Sequence, residues 1–202
     1  MNLSILPHLS PRWLLCAVAL LAAVSLQAQE NPLAAQLVGN WVINDDLSDN
    51  TDEQVENAIK AGGGKVKRRW FAKRDDDFYR GGPPEQELYD RISYDDEISI
   101  SNRGVEFRFE YSDAYVRVFH SDGRRRQSSA NDFYSEGGVD FSLANFEGNT
   151  LVVEARPRDG GFTLETYSIS SDGMQLTIEM LIHPQSFREP INLTRVFSRV
   201  VD

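Results

Sequence analysis

The chain has 202 residues, with 31 acidic against 21 basic side chains, a formal net charge of −10 and one cysteine. So acidic a balance argues against nucleic acid as a partner, because phosphate binding draws on a basic face. A lone cysteine cannot form an intrachain disulfide, and 41% apolar residues supply enough for one domain with a sizeable core.

Arg12, the apolar run from Trp13 to Val24 and the small-residue stretch Ser25-Leu26-Gln27-Ala28 predict a secretory signal peptide over residues 1–28. The run is shorter than the about 20 residues that a spanning helix needs. A periplasmic or secreted protein is expected, with no stable membrane span in the mature chain. Cys16 lies inside the run, after Leu14-Leu15, which does not fit a lipoprotein cleavage site. Residues 29–202 therefore lack cysteine, which removes thiolate catalysis and cysteine-ligated metals.

Glu30 to Val38 reads as a lead-in with one helical turn through Leu33, Ala34 and Leu37, placed to plug a barrel end. Gly39 to Asn44 reads as a strand, with Trp41 and Ile43 on one face and Asn40, Val42 and Asn44 on the other. Gly39 leaves room for a close backbone approach. Asp45 to Asn50 is turn chemistry. Thr51-Asp52-Glu53-Gln54, with Val55, Ala58 and Ile59 at helical spacing, predicts a short helix ended by Gly62-Gly63-Gly64.

A flexible insertion is expected over about 51–94. Its core, Lys65 to Pro84, interleaves Lys67, Arg68, Arg69, Lys73 and Arg74 with Trp70 and Phe71, then Asp75-Asp76-Asp77. Basic residues among aromatics suit a nucleic-acid strand, but the acidic triplet favours a solvated loop whose two halves pair. Glu85 to Tyr94 fits either helix or strand.

From Asp95 the period becomes two. Val105, Phe107, Phe109 and Tyr111 alternate with Glu106, Arg108 and Glu110, and Leu176, Ile178, Met180 and Ile182 with Gln175, Thr177 and Glu179. Ile98 and Ile100, Val116 and Val118, Leu151 and Val153, Phe162 and Leu164, and Ile191 and Leu193 mark further strands. Turns at Asn102-Arg103-Gly104, Ser121-Asp122-Gly123, Glu147-Gly148-Asn149, Asp159-Gly160-Gly161 and Ser171-Asp172-Gly173 separate them. The rhythm predicts an all-β fold: an up-and-down antiparallel barrel of nine or ten strands with one short helix near the N-terminus. Pairing the Trp41 strand with the last one, Ile191 to Val200, removes the open edges.

Gly39-Asn40-Trp41, the antiparallel strands and a late arginine resemble the lipocalin and calycin barrels. The resemblance implies that Trp41 packs at the closed end with a last-strand arginine across its ring, Arg195 first and Arg199 second. Such a stack contributes about 0.5–2 kcal/mol. More narrowly, the Gly-x-Trp-x-Ile-Asn run and the fingerprints at Phe119 to Arg124, Phe146 to Glu154 and Glu165 to Gly173 look like a group of exported bacterial proteins of uncharacterised function.

Chemistry is sparse. His120 and His183 are too few and too far apart for a zinc site. Glu106, Glu110 and Glu179 are the acids that alternation puts on a wet face. No Gly-x-Ser-x-Gly elbow or spaced calcium loop occurs. Arg124-Arg125-Arg126 reads either as an anion site at a barrel mouth or as a rim paired with neighbouring acids. No catalytic residue, metal or cofactor is expected.

The inward aromatic face is the stronger lead, with Phe107, Phe109, Tyr111, Tyr115, Ile178 and Met180 as candidate ligand-binding residues. The expected function is binding of a small apolar or amphipathic molecule, with Lys65 to Pro84 as a movable flap. The alternative is a solid, non-enzymatic barrel whose loop docks an envelope protein partner.

Overall fold

The computed structural model describes residues 31–64, 96–112, 116–128, 140–156, 161–185 and 187–201. The expected signal peptide, the Lys65 to Pro84 loop, the Glu85 to Tyr94 segment and Tyr115 lie outside them.

Trp41 faces Arg199 across an antiparallel pair that joins the front of the barrel to its last strand. That pair is β1 (Gly39–Ile43) with β10 (Ile191–Arg199). Between them run β2 (Glu97–Arg103), β3 (Glu106–Tyr111), β4 (Val116–His120), β5 (Arg126–Ser128), β6 (Asp140–Glu147), β7 (Thr150–Arg156), β8 (Phe162–Ile169) and β9 (Gln175–His183). The strand order is β4-β3-β2-β1-β10-β9-β8-β7-β6-β5, so sequence neighbours pair throughout except β4 and β5, which form the two edges, and β1 pairs with β10. This is an all-β, up-and-down antiparallel barrel, nearly closed. At its seam, Asp122 bridges to Asn145 and the Gly123 N–H donates to the Ala144 carbonyl at 2.9 Å.

Two helices flank the sheet. Helix α1 (Pro32–Leu37) starts with proline at a position that lacks a hydrogen-bond partner anyway, and Asn31 caps it by accepting from the Leu33 N–H at 2.9 Å. It buries Leu33 and Leu37 fully, and the Trp41 indole N–H donates to the Leu37 carbonyl at 3.0 Å. Helix α2 (Thr51–Ala61) is capped by Asn50, one residue before the expected Thr51. Asp52 and Glu53 lie in its first turn and Lys60 in its last, the order that the helix dipole favours. Gly62 closes it, donating to the Ala58 carbonyl at 3.0 Å.

Alternation produces two apolar clusters. The larger joins α1 and Trp41 to Ile98, Ile100, Phe107, Phe109, Phe119, Leu151, Tyr167, Leu176 and Phe197. The smaller packs Val55 and Ala58 of α2 on Ile182, Ile191 and Leu193.

The structure corrects the expected Trp41 partner. The guanidinium over its ring, 4.1 Å from the centroid, is that of Arg199, the second candidate. Arg199 lies directly opposite Trp41 in register, whereas Arg195 lies opposite Ile178. Arg195 instead donates to the Asp49 carbonyl at 2.9 Å and to the Thr51 hydroxyl, holding the entry to α2.

Two strands also bury residues other than their apolar markers. In β8, Leu164 is 39% exposed while Thr163, Glu165, Tyr167 and Ile169 are buried. In β4, the marker Val116 is buried but Val118 is only half-buried, and Phe119 is buried at the same parity as Arg117.

Candidate functional site

Because β4 turns Arg117 inward and β8 turns Glu165 inward, a guanidinium and a carboxylate meet inside the barrel. Arg117 Nη1 donates to Glu165 Oε2 at 3.0 Å and Nη2 to Oε1 at 2.6 Å, a two-pronged pair. Glu165 also accepts from the Tyr167 hydroxyl and, at 3.4 Å, from the Thr163 hydroxyl. Arg117 donates further to the Tyr111 hydroxyl at 3.3 Å, and its guanidinium carbon lies 4.6 Å from the Phe119 ring centroid.

The two charges are not equally buried: the side chain of Glu165 is 5% exposed and that of Arg117 18%.

Burial works against the charge on Arg117, yet the nearby Glu165, Tyr111 and Tyr167 hold its proton more firmly than water would. Burial, joined by the Glu165 charge, pushes the Tyr167 hydroxyl well above its ordinary value. Tyr167 is therefore a fixed donor to Glu165, not a nucleophile at neutral pH. The carboxylate meets four donors, as many as its lone pairs can take. This arrangement suits recognition better than proton transfer.

Aromatic rings form the layer around the network. Phe109 meets Phe119 edge-on at 5.2 Å and Tyr167 at 5.3 Å, and Phe107 meets Phe146 edge-on at 5.9 Å. Met180 lies opposite Glu165 on one flank and Val153 on the other.

Of the residues predicted from sequence, Tyr111 joins the network through its hydroxyl, and Met180 is half-buried beside Glu165. Ile178 is buried opposite Tyr167. Phe107 and Phe109 are fully buried in the ring layer.

Arg117, Glu165, Tyr167 and Thr163 were not legible as a site. The one available signal was a charged residue at inward parity in each strand, two residues from Phe119 and from Tyr167.

The remaining candidates lie elsewhere. His120 is 3.5 Å from Glu106 at the surface, and His183 stacks on Phe162 at 5.6 Å. Among the described residues no three histidine, cysteine or acidic side chains converge to hold a metal. Arg126 pairs with Asp122, and Arg124 approaches the same carboxylate at 3.9 Å, as in the paired-rim reading. A partly open cavity of about 320 Å3, lined by Arg125, Ser142, Leu143, Glu154 and Arg156, belongs to the β6–β7 side and not to the Arg117–Glu165 pair. No helix among the described residues is long and apolar enough to cross a membrane.

No protein-family model matches the chain, and no curated protein matches it. Solved structures of similar shape include a mutant of the fluorescent protein UnaG, at 20% identity over 83% of this chain and 99% of that one, with a TM-score of 0.48. Another is apo lipid binding protein 8 of Caenorhabditis elegans, at 12% identity over 82% and 96%, with a TM-score of 0.48. A third is a zebrafish ileal bile acid-binding protein complexed with cholic acid, at 14% identity over 82% and 99%, with a TM-score of 0.44. Likenesses this distant leave the function to be argued from the residues of the site.

Proposed function

We propose that the barrel binds a small amphipathic molecule, its polar end on Arg117 and Tyr111 and its apolar body against Met180, Ile178 and the aromatic layer. The observation that carries this reading is the paired charge inside the barrel, with aromatic rings packed around it. Burying two ions is costly even when they are well paired, and apolar replacements of similar volume often stabilise as well or better. A pair of this kind is therefore a poor choice for stability alone and a good one for orienting a ligand.

Export to the periplasm fits the N-terminal apolar run and would put the barrel where such molecules pass between membranes. The solid-barrel alternative draws on a specific observation too, the full burial of Phe107, Phe109, Phe119 and Tyr167. Those rings fill one part of the interior.

Native mass spectrometry of the purified full chain tests the reading. Lipid-sized adducts, or a one-to-one adduct on adding a twelve-carbon alcohol, are expected. A clean apo mass with both would leave the solid barrel standing.

A further inference from the structure

The Arg117–Glu165 pair also bears on which amphipathic molecules fit, an inference that rests on the proposed binding site. A guanidinium held alone inside an apolar barrel would attract an anionic group. Here that position is already taken by Glu165, which meets Arg117 with both oxygens. Tyr167 and Thr163 complete the shell of that internal carboxylate, so it is a built component and not a loosely placed side chain.

The two arginines of β10 are also committed. Arg195 donates to the Asp49 carbonyl and the Thr51 hydroxyl at the start of α2. Arg199 lies on Trp41 and donates to the Val38 and Gly173 carbonyls at 2.9 and 2.8 Å.

We infer that the interior selects against carboxylates and takes molecules whose polar end is an uncharged oxygen acceptor, such as an alcohol, ketone or amide. A second carboxylate would enter beside Glu165 with only one guanidinium between two negative charges, and would give up its hydration on the way. A neutral oxygen accepts from the Arg117 guanidinium, the less buried half of the pair, without adding charge.

The test uses the full chain loaded with Nile red, an uncharged dye, and displaces it with dodecan-1-ol or with dodecanoate at about pH 8, where the free acid is ionised. Dodecan-1-ol is expected to compete at concentrations at least about tenfold lower than dodecanoate. Equal or better competition by dodecanoate would overturn the charge selection and leave the binding site intact. Displacement by neither would overturn both.

Glu165→Gln leaves Arg117 without its internal anion. It is expected to move the ratio by about tenfold or more toward the acid. An unchanged ratio in the folded variant would show that Glu165 does not set the preference. The wild-type ratio is decisive even if that variant does not fold.

Discussion

Two arginines enter the same barrel and are treated differently. Arg199 lies over Trp41 and donates to backbone carbonyls at Gln36, Val38 and Gly173. It fixes α1, β1 and the β8–β9 turn to one another and faces no carboxylate in that set. Arg117, by contrast, faces Glu165 and two tyrosines from other strands. One arginine is spent on architecture; the other is held in a poised, neutralised pair. The contrast places the architectural contacts at Trp41, and the proposed recognition rests on the pair at Glu165.

The largest effect should come from the architectural end. Trp41→Ala should lose about 3–5 kcal/mol in denaturant unfolding, since a fully buried ring and its indole hydrogen bond go together. A loss below about 1 kcal/mol would make the anchor strand peripheral.

Breaking the poised pair comes next. Arg117→Met should cost about 3 kcal/mol by stranding Glu165, while Arg117→Met with Glu165→Leu should return to within about 1 kcal/mol of wild type. A double variant as unstable as the single one would move the pair to the architectural side of the comparison.

Gly39→Ala should cost about 1–3 kcal/mol. Gly39 has φ of +143°, and an added Cβ would lie 2.6 Å from Arg199 Nη1. The same change at Gly104, with φ of +64° and nothing within 4 Å, should cost less, because only backbone strain remains.

The smallest effect belongs to the seam. The Arg126 hydrogen bond, with a further one from the Arg124 N–H, holds Asp122 below the usual carboxylate value. A carboxylate depressed in the folded state contributes stability that is present above about pH 4 and lost as pH falls through its folded value. The protection factor of the Gly123 amide, its exchange rate relative to the intrinsic rate at the same pH, should therefore fall in acid, and Asp122→Asn should flatten that fall. A protection factor in wild type that does not change with pH would show that the pair does not hold the seam.

The fold was legible where sequence and burial agree. Phe107, Phe109, Leu176 and Ile178 alternate with charges and face inward, and the β1–β10 closure follows from the need to pair two edges. The site was not legible, because β8 reverses the rule. Leu164 faces water while Glu165 is buried, and hydrophobicity alone therefore points to the wrong face. A carboxylate becomes an inward residue only when its partner comes from a distant strand, here 48 residues away, and single-strand periodicity carries no information about that. The choice between Arg195 and Arg199 failed for a related reason. Both share the inward parity of β10, and only the register against Trp41 separates them.

The most direct test compares dodecan-1-ol binding by wild type with binding by the folded Arg117→Met, Glu165→Leu double variant. The account predicts a dissociation constant raised at least about tenfold, the loss of one hydrogen bond to a charged donor, at near-unchanged stability. An unchanged dissociation constant in that variant would contradict it.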